Sequence, residues 1–119
     1  MDYDVVIIGG GPSGLATAIK LAQTFKEKNL DKSICVLEKS AEIGGHILSG
    51  NVFETTALDE LIPDWKEKGA PLDVKVKRDA IKFLINDKYS LPVPSFVMPT
   101  MQNHGNYILS LGNLCRWLA

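Results

Sequence analysis

The apolar positions fall into a run, a stripe and a second run before the pattern weakens. Asp4–Ile8 is a short, almost wholly apolar run, which predicts a strand buried on both faces as in a parallel sheet. From Pro12 to about Lys28 the apolar positions Leu15, Ala18, Ile19, Ala22 and Phe25 recur at helical spacing and predict an amphipathic helix. Asn29 and Asp31 fit the loop after it. Ser33–Leu37 is a second apolar run and closes on Glu38. Strand, helix, strand in this order predicts a right-handed parallel βαβ unit, and so an α/β chain.

Beyond Ser40 the signal is fainter. Gly44-Gly45 and Ser49-Gly50 mark loops, and Thr56–Ile62 reads as a short helix with Thr55 or Thr56 as its cap. Pro63-Asp64 and Gly69-Ala70-Pro71 mark turns. Val74 and Val76, then Ile81, Phe83 and Ile85, alternate with polar residues. Divided by Arg78-Asp79, they predict a β-hairpin. Leu91–Met101 reads as a proline-broken apolar loop, Tyr107–Leu109 as a short strand, and Ser110 as the cap of a last helix from Leu111. The region 52–101 is expected to be an insertion carrying the hairpin and the apolar loop. The last helix shows no stop signal before Ala119, so a fragment of a longer protein is expected.

Composition narrows the function. In 119 residues, 45% hydrophobic and 23% charged is a globular balance, and a net charge of −1 gives no basic surface for nucleic acid. Lys residues in the 26–32 stretch alternate with Glu27 and Asp31, as on a solvated helix end. Cys35 sits in an apolar run and reads as a reduced core residue. With Cys115 it has no metal-ligand spacing and no disulfide framework, so a reducing compartment is expected. No signal peptide is visible. The stretch Tyr89–Cys115 has no Asp, Glu, Lys or Arg, but its prolines and amides break any spanning helix.

The candidate chemistry lies between the first run and the first helix. Gly9-Gly10-Gly11-Pro12-Ser13-Gly14 fits G-x-G-x-x-G through Gly9, Gly11 and Gly14. The first glycine turns the chain out of the strand, the second lets a pyrophosphate reach the backbone, and the third lets helix and sheet approach. The helix start offers N–H groups and the positive dipole end to phosphate. Glu38 stands where a carboxylate can accept from ribose hydroxyls, and it would repel a 2′-phosphate, which argues against NADP. The blander reading of Glu38 is a surface carboxylate paired with Lys39. FAD and NAD share this fingerprint. The amino-terminal position of the motif and the doublet Gly44-Gly45, which would let the backbone pass a bulky flavin, favour FAD over NAD, while on spacing alone the doublet reads equally as a plain loop.

The run Asp4–Gly9 through Gly14, with Glu38-Lys39 and Gly44-Gly45-His46-Ile47-Leu48-Ser49-Gly50, resembles the electron-transfer flavoprotein–ubiquinone oxidoreductase family. Leu61–Leu72 and Asn103–Ile108, followed by Leu111-Gly112 and Trp117-Leu118, carry the resemblance more specifically, and it covers essentially the whole chain. It implies a Rossmann-like FAD-binding domain, present here in its amino-terminal part. In that family, electrons pass from reduced electron-transfer flavoprotein to ubiquinone through one FAD and one [4Fe–4S] cluster. The cluster cysteines and most of the quinone site are expected outside these residues. The resemblance implies a peripheral inner-membrane protein, on the bacterial cytoplasmic face or the mitochondrial matrix face. Gly9, Gly11, Pro12, Ser13, Gly14, Glu38, Lys39, Gly44, Gly45 and His46 are the implied cofactor-binding residues, with no catalytic residue and no metal ligand.

Three positions stay open. His46 reads either as a flavin contact or as a loop histidine bonded to backbone. His104 reads as a turn-shaping residue, since flavin-to-quinone transfer obliges no general base. Leu91–Pro99 reads equally as a packed loop or as an apolar surface dipping into one bilayer leaflet, and the resemblance favours the second. Other FAD-dependent reductases or monooxygenases share the glycine loop, though Pro63–Pro71 argues against them. A non-catalytic, truncated nucleotide-binding fragment is the reading from another class.

Overall fold

The structure, a computed structural model, describes residues 2–119. Strand β1 (Val5–Ile8) leads through the glycine turn into helix α1 (Pro12–Glu27), which returns the chain to strand β2 (Ile34–Leu37). β1 and β2 pair in parallel, Val5 opposite Ile34 and Ile8 opposite Leu37. The α/β, Rossmann-like unit expected from the sequence is present. Pro12 opens α1, where a missing N–H costs nothing. Asn29, in the left-handed region at φ 50°, closes the turn after it.

One expectation about this unit is corrected. α1 covers one face of the strands and buries Leu15, but the opposite face carries Val6 and Ile8, and Ile8 is 88% exposed. The strands are therefore not buried on both faces among the described residues, because α1 packs on one side only. Ala22, assigned to the apolar face of α1, is also exposed.

A second sheet follows. Strands β3 (Ser49–Phe53), β4 (Val74–Lys75) and β7 (Tyr107–Ser110) form an antiparallel sheet with β7 in the centre. β3 carries a register shift at Gly50, whose φ of +80° suits a bulge that other residues resist. Helix α2 (Thr56–Leu61) and helix α3 (Leu111–Leu118) pack on this sheet. Their core is Leu58, Trp65, Leu72, Leu109 and Leu114, each full burial stabilising by about 1.5–3 kcal/mol. Trp65 stacks edge-on against Tyr107 at 5.9 Å, and its indole N–H donates to Asp59 Oδ1 at 2.6 Å. Cys115 is fully buried beside Leu114, as expected of a core thiol, and burial pushes that thiol up. Cys35 is half-buried.

The caps follow the sequence in part. The Ser110 hydroxyl accepts from the Asn113 N–H at 3.4 Å, capping α3. Thr55 occupies the N-cap of α2, but its hydroxyl donates to Asp59 Oδ2 at 2.8 Å instead of serving the backbone.

The expected hairpin is the largest correction. Val74 does not pair with the segment after Arg78-Asp79. β4 pairs with β7, Val74 opposite Ile108. The hairpin is instead β5 (Ile81–Leu84) with β6 (Ser90–Val93), Ile81 opposite Val93. Its turn forms because the Asn86 side chain accepts from the N–H groups of Lys88 and Tyr89, both at 2.9 Å. β6 begins inside the stretch read as a loop, and it tolerates Pro92 because a two-stranded ribbon has free edges. Single 3₁₀ turns at Ser95–Val97 and Pro99–Met101 complete the segment. Asp79 Oδ2 accepts from the Asn103 N–H at 2.7 Å and closes the base. The radius of gyration is 18.8 Å, against about 13.5 Å for a compact chain of this length, so the molecule is extended, at 62 × 29 × 23 Å.

Candidate dinucleotide-binding site

The glycine loop sits where β1 ends and α1 begins. Gly9 takes φ +108°, a conformation that other residues resist, and its N–H donates to Leu37 O at 2.7 Å. A Cβ on Gly14 would overlap the Gly9 carbonyl oxygen and sit 3.4 Å from Ile7 Cγ2, so this position lets the helix lie against the strand. Gly11 differs from both. Its φ is −81°, and a Cβ there would meet no protein atom within 4 Å. Neither backbone strain nor packing demands a glycine at position 11, and its open side is the cradle a phosphate-bearing ligand would fill.

The helix start adds polarity. The first intrahelical acceptor, Gly11 O, takes the Leu15 N–H at 3.0 Å. Helix geometry therefore leaves the N–H groups of Ser13 and Gly14 without intrahelical partners, at the positive end of the α1 dipole. Pro12 and Ser13 are both exposed at this end.

Glu38 follows β2. Its Oε2 accepts the Gly10 N–H at 2.7 Å and its Oε1 the Ser40 N–H at 2.8 Å. The Ser40 amide, then the Gly10 amide, holds this carboxyl below the usual range against an opposing effect of burial, and nearby His46 and the Lys39 amide act in the same direction. Glu38 is thus an ionised acceptor, and each bonded oxygen retains a second lone pair for a hydroxyl donor. The alternative pairing of Glu38 with the Lys39 side chain is not what the structure shows: the partners are backbone amides.

Gly44, Gly45 and His46 lie on the turn after Glu38. His46 is exposed and close enough to Glu38 to act on its charge. Lys39 is exposed. A Cβ on Gly45 would lie 2.5 Å from Ser40 Oγ. Gly44, at φ +79°, faces the backbone of Gly112: a Cβ on it would lie 2.5 Å from Gly112 O. His104 is exposed on the turn before β7.

Sequence reasoning passed over Gly10, Ser40, Ile43 and Gly112. A Cβ on Gly10 would overlap Ile43 Cδ1 and lie 3.2 Å from Glu38 Oε2. The run of three glycines was a legible sign for Gly10. Nothing in the sequence marked Ser40, whose contribution is an amide.

The fold is a βαβ unit of the Rossmann type. The profile of a family described as an NAD(P)-binding Rossmann-like domain matches residues 7–65. The chain is similar from end to end to electron-transfer flavoprotein–ubiquinone oxidoreductases, the family its residues resemble. It is 56% identical to that of Pseudomonas aeruginosa over the whole chain and 22% of the relative. It is 51% identical to the mitochondrial one of Arabidopsis thaliana over the whole chain and 18% of the relative. Against that of Rattus norvegicus it is 49% identical over 99% of the chain and 19% of the relative. The chain spans about a fifth of the length of these curated relatives.

Proposed function

We propose that this chain supplies the ADP-binding cradle for FAD in an electron-transfer flavoprotein–ubiquinone oxidoreductase. The open side of Gly11, in a loop where Gly9 answers to its positive φ and Gly14 to the Gly9 carbonyl, is the observation that supports a bound phosphate. The end-to-end similarity supports the particular enzyme.

The residues fit the cofactor. The Ser13 and Gly14 amides and the α1 dipole would hold the pyrophosphate, and Gly11 would let it come against the backbone. Glu38 would accept from the adenosine ribose hydroxyls, and its charge would turn away a 2′-phosphate. Gly44, Gly45, His46 and Lys39 would line the approach toward the flavin. When bound, FAD supplies the electron storage that lets electrons pass from reduced electron-transfer flavoprotein to ubiquinone. The [4Fe–4S] cluster of this reading belongs to residues outside this chain.

Residues 52–101 act in this reading as the insertion that carries the apolar surface. Phe83, Leu91, Phe96 and Met101 are exposed there, with Phe96 at 80%. The projecting hairpin and the Leu91–Met101 segment would rest in one leaflet of the inner membrane, on the bacterial cytoplasmic or the mitochondrial matrix face. No helix among the described residues is long and apolar enough to cross a membrane, which fits peripheral contact.

The test is a visible absorbance spectrum of the native-length polypeptide in detergent, with reduced electron-transfer flavoprotein and then a quinone added. Flavin bands that bleach with the donor and return with the quinone are expected. A flavin indifferent to that donor overturns the enzyme reading, and a polypeptide without flavin overturns the cradle.

A further inference from the structure

The second sheet and the nucleotide loop touch through two glycines. A Cβ on Gly44 would lie 2.5 Å from Gly112 O and 2.9 Å from Gly112 Cα, and a Cβ on Gly112 would lie 2.9 Å from Gly44 O. The two backbones are in direct contact with no space for a methyl group on either. Gly44 has a second reason to be glycine in its positive φ. Gly112 has none: it is a buried residue in the first turn of α3, where glycine is a poor helix former. Its missing side chain is explained by the contact with Gly44.

The contact has an anchored side and a ligand side. α3 is anchored in the second sheet's core by Leu114, with Leu111, Trp117 and Leu118 packed against it. Arg116, one turn beyond Gly112, makes a second tie to the loop through Glu42 Oε1 at 3.6 Å. On the ligand side, Ile43 precedes Gly44 directly, and its Cδ1 lies over Gly10, where a Cβ would oblige this side-chain end to turn aside. Gly10 in turn donates its N–H to Glu38. Gly112, Gly44, Ile43, Gly10 and Glu38 form one chain of contacts from the Trp65 core to the carboxylate.

We propose that Gly112 is a positioning residue for the cofactor cradle: it sets residues 42–47 on α3 and, through Ile43, the placing of Gly10 and Glu38. This rests on the FAD reading above. A methyl at residue 112 must push Gly44 outward, because the atom it meets is backbone carbonyl and not a flexible side-chain end.

The experiment compares Gly112→Ala with Gly69→Ala in the native-length polypeptide. Gly69 has φ +71° and no atom within 4 Å of a would-be Cβ, so its variant is strained without touching the loop. Three quantities are read: thermal midpoint, FAD affinity with the visible circular dichroism of the bound flavin, and amide exchange at Gly45 and Ile47, whose N–H groups bond Glu42 O and Gly44 O. Gly112→Ala is expected to weaken FAD binding about tenfold or more, change the flavin signal and speed exchange at both amides. Gly69→Ala is expected to lower the midpoint with affinity within about twofold of the parent. Unchanged affinity, flavin signal and exchange in Gly112→Ala overturn the inference. A parent that takes no FAD overturns the cofactor reading instead, while the exchange comparison still decides whether Gly112 sets the loop. Should Gly112→Ala not fold, Ile43→Ala, which removes the Cδ1 that lies over Gly10, is expected to weaken FAD binding and change the flavin signal, and unchanged affinity and signal there overturn the inference as well.

Discussion

Glu38 accepts the amide of Gly10 at 2.7 Å, so the end of β2 is stitched to the loop that opens α1. The bond joins residues 28 positions apart and fixes the carboxylate proposed for the ribose against the amides proposed for the phosphate. Hydrogen bonds to an ionised acceptor are the stronger kind, and this carboxylate has two from backbone.

Glu38→Gln keeps the shape and loses the charge. One of its two head atoms becomes an NH₂ group facing a backbone N–H, donor against donor. FAD affinity is expected to fall roughly ten- to hundredfold, measured by titration of the apoprotein. An unchanged affinity would mean that the carboxylate does not serve the ribose.

Gly14→Ala is expected to fail in a different manner. The added methyl overlaps the Gly9 carbonyl, so the helix must move off the strand. A loss of about 1–3 kcal/mol or more in urea unfolding is expected, whether or not FAD is present. Wild-type stability in this variant would contradict the close packing of α1 on β1.

Acid acts on the start of the parallel pair. Asp4 accepts from Lys32 Nζ at 2.7 Å, from the Ser33 N–H at 2.8 Å and from the Ser33 hydroxyl at 2.9 Å, clasping β1 to β2. The Lys32 hydrogen bond, first, and then those of Ser33 hold its carboxyl well below the ordinary range. With a depressed native pKa, the stabilisation is present above the unfolded value of about 3.9 and is lost as pH falls through the native one. The difference in urea midpoint between the parent and Asp4→Asn is therefore expected to be constant from about pH 8 to 5 and to shrink below about pH 4. A difference that grows as pH falls would contradict the clasp.

The hairpin offers a surface test. Phe83 and Phe96 are 65% and 80% exposed. Phe83→Asp with Phe96→Asp is expected to leave folding stability within about 1 kcal/mol and to abolish co-sedimentation with anionic phospholipid vesicles. Undiminished vesicle binding would remove the hairpin from the membrane surface.

The parallel unit was legible because its signals are local: two apolar runs, one stripe at helical spacing, and glycines where the chain must turn. The second sheet was not, because its pairings are long-range. β3 reads as Ser-Gly-Asn-Val-Phe, with no run of apolar residues to announce it, and it becomes a strand by pairing with β7. Val74 and Ile81 alternate as hairpin arms should. But Val74 finds its partner in Ile108, and the turn chemistry lies at Asn86, not at Arg78-Asp79. In the site, the motif glycines and Glu38 could be read from spacing. The amides of Gly10 and Ser40, and the meeting of Gly44 with Gly112, depend on distances that no spacing records.

The most direct measurement is an FAD titration of the native-length apoprotein, parent against Gly11→Ala, with the unfolding of each followed in parallel. A methyl at residue 11 meets no protein atom, so its cost to folding is expected to stay within about 1 kcal/mol, the usual effect of alanine at a helix N-cap. It fills the space assigned to the pyrophosphate, so affinity is expected to fall roughly ten- to hundredfold. A Gly11→Ala protein that binds FAD as tightly as the parent would contradict the central claim that this loop cradles the cofactor.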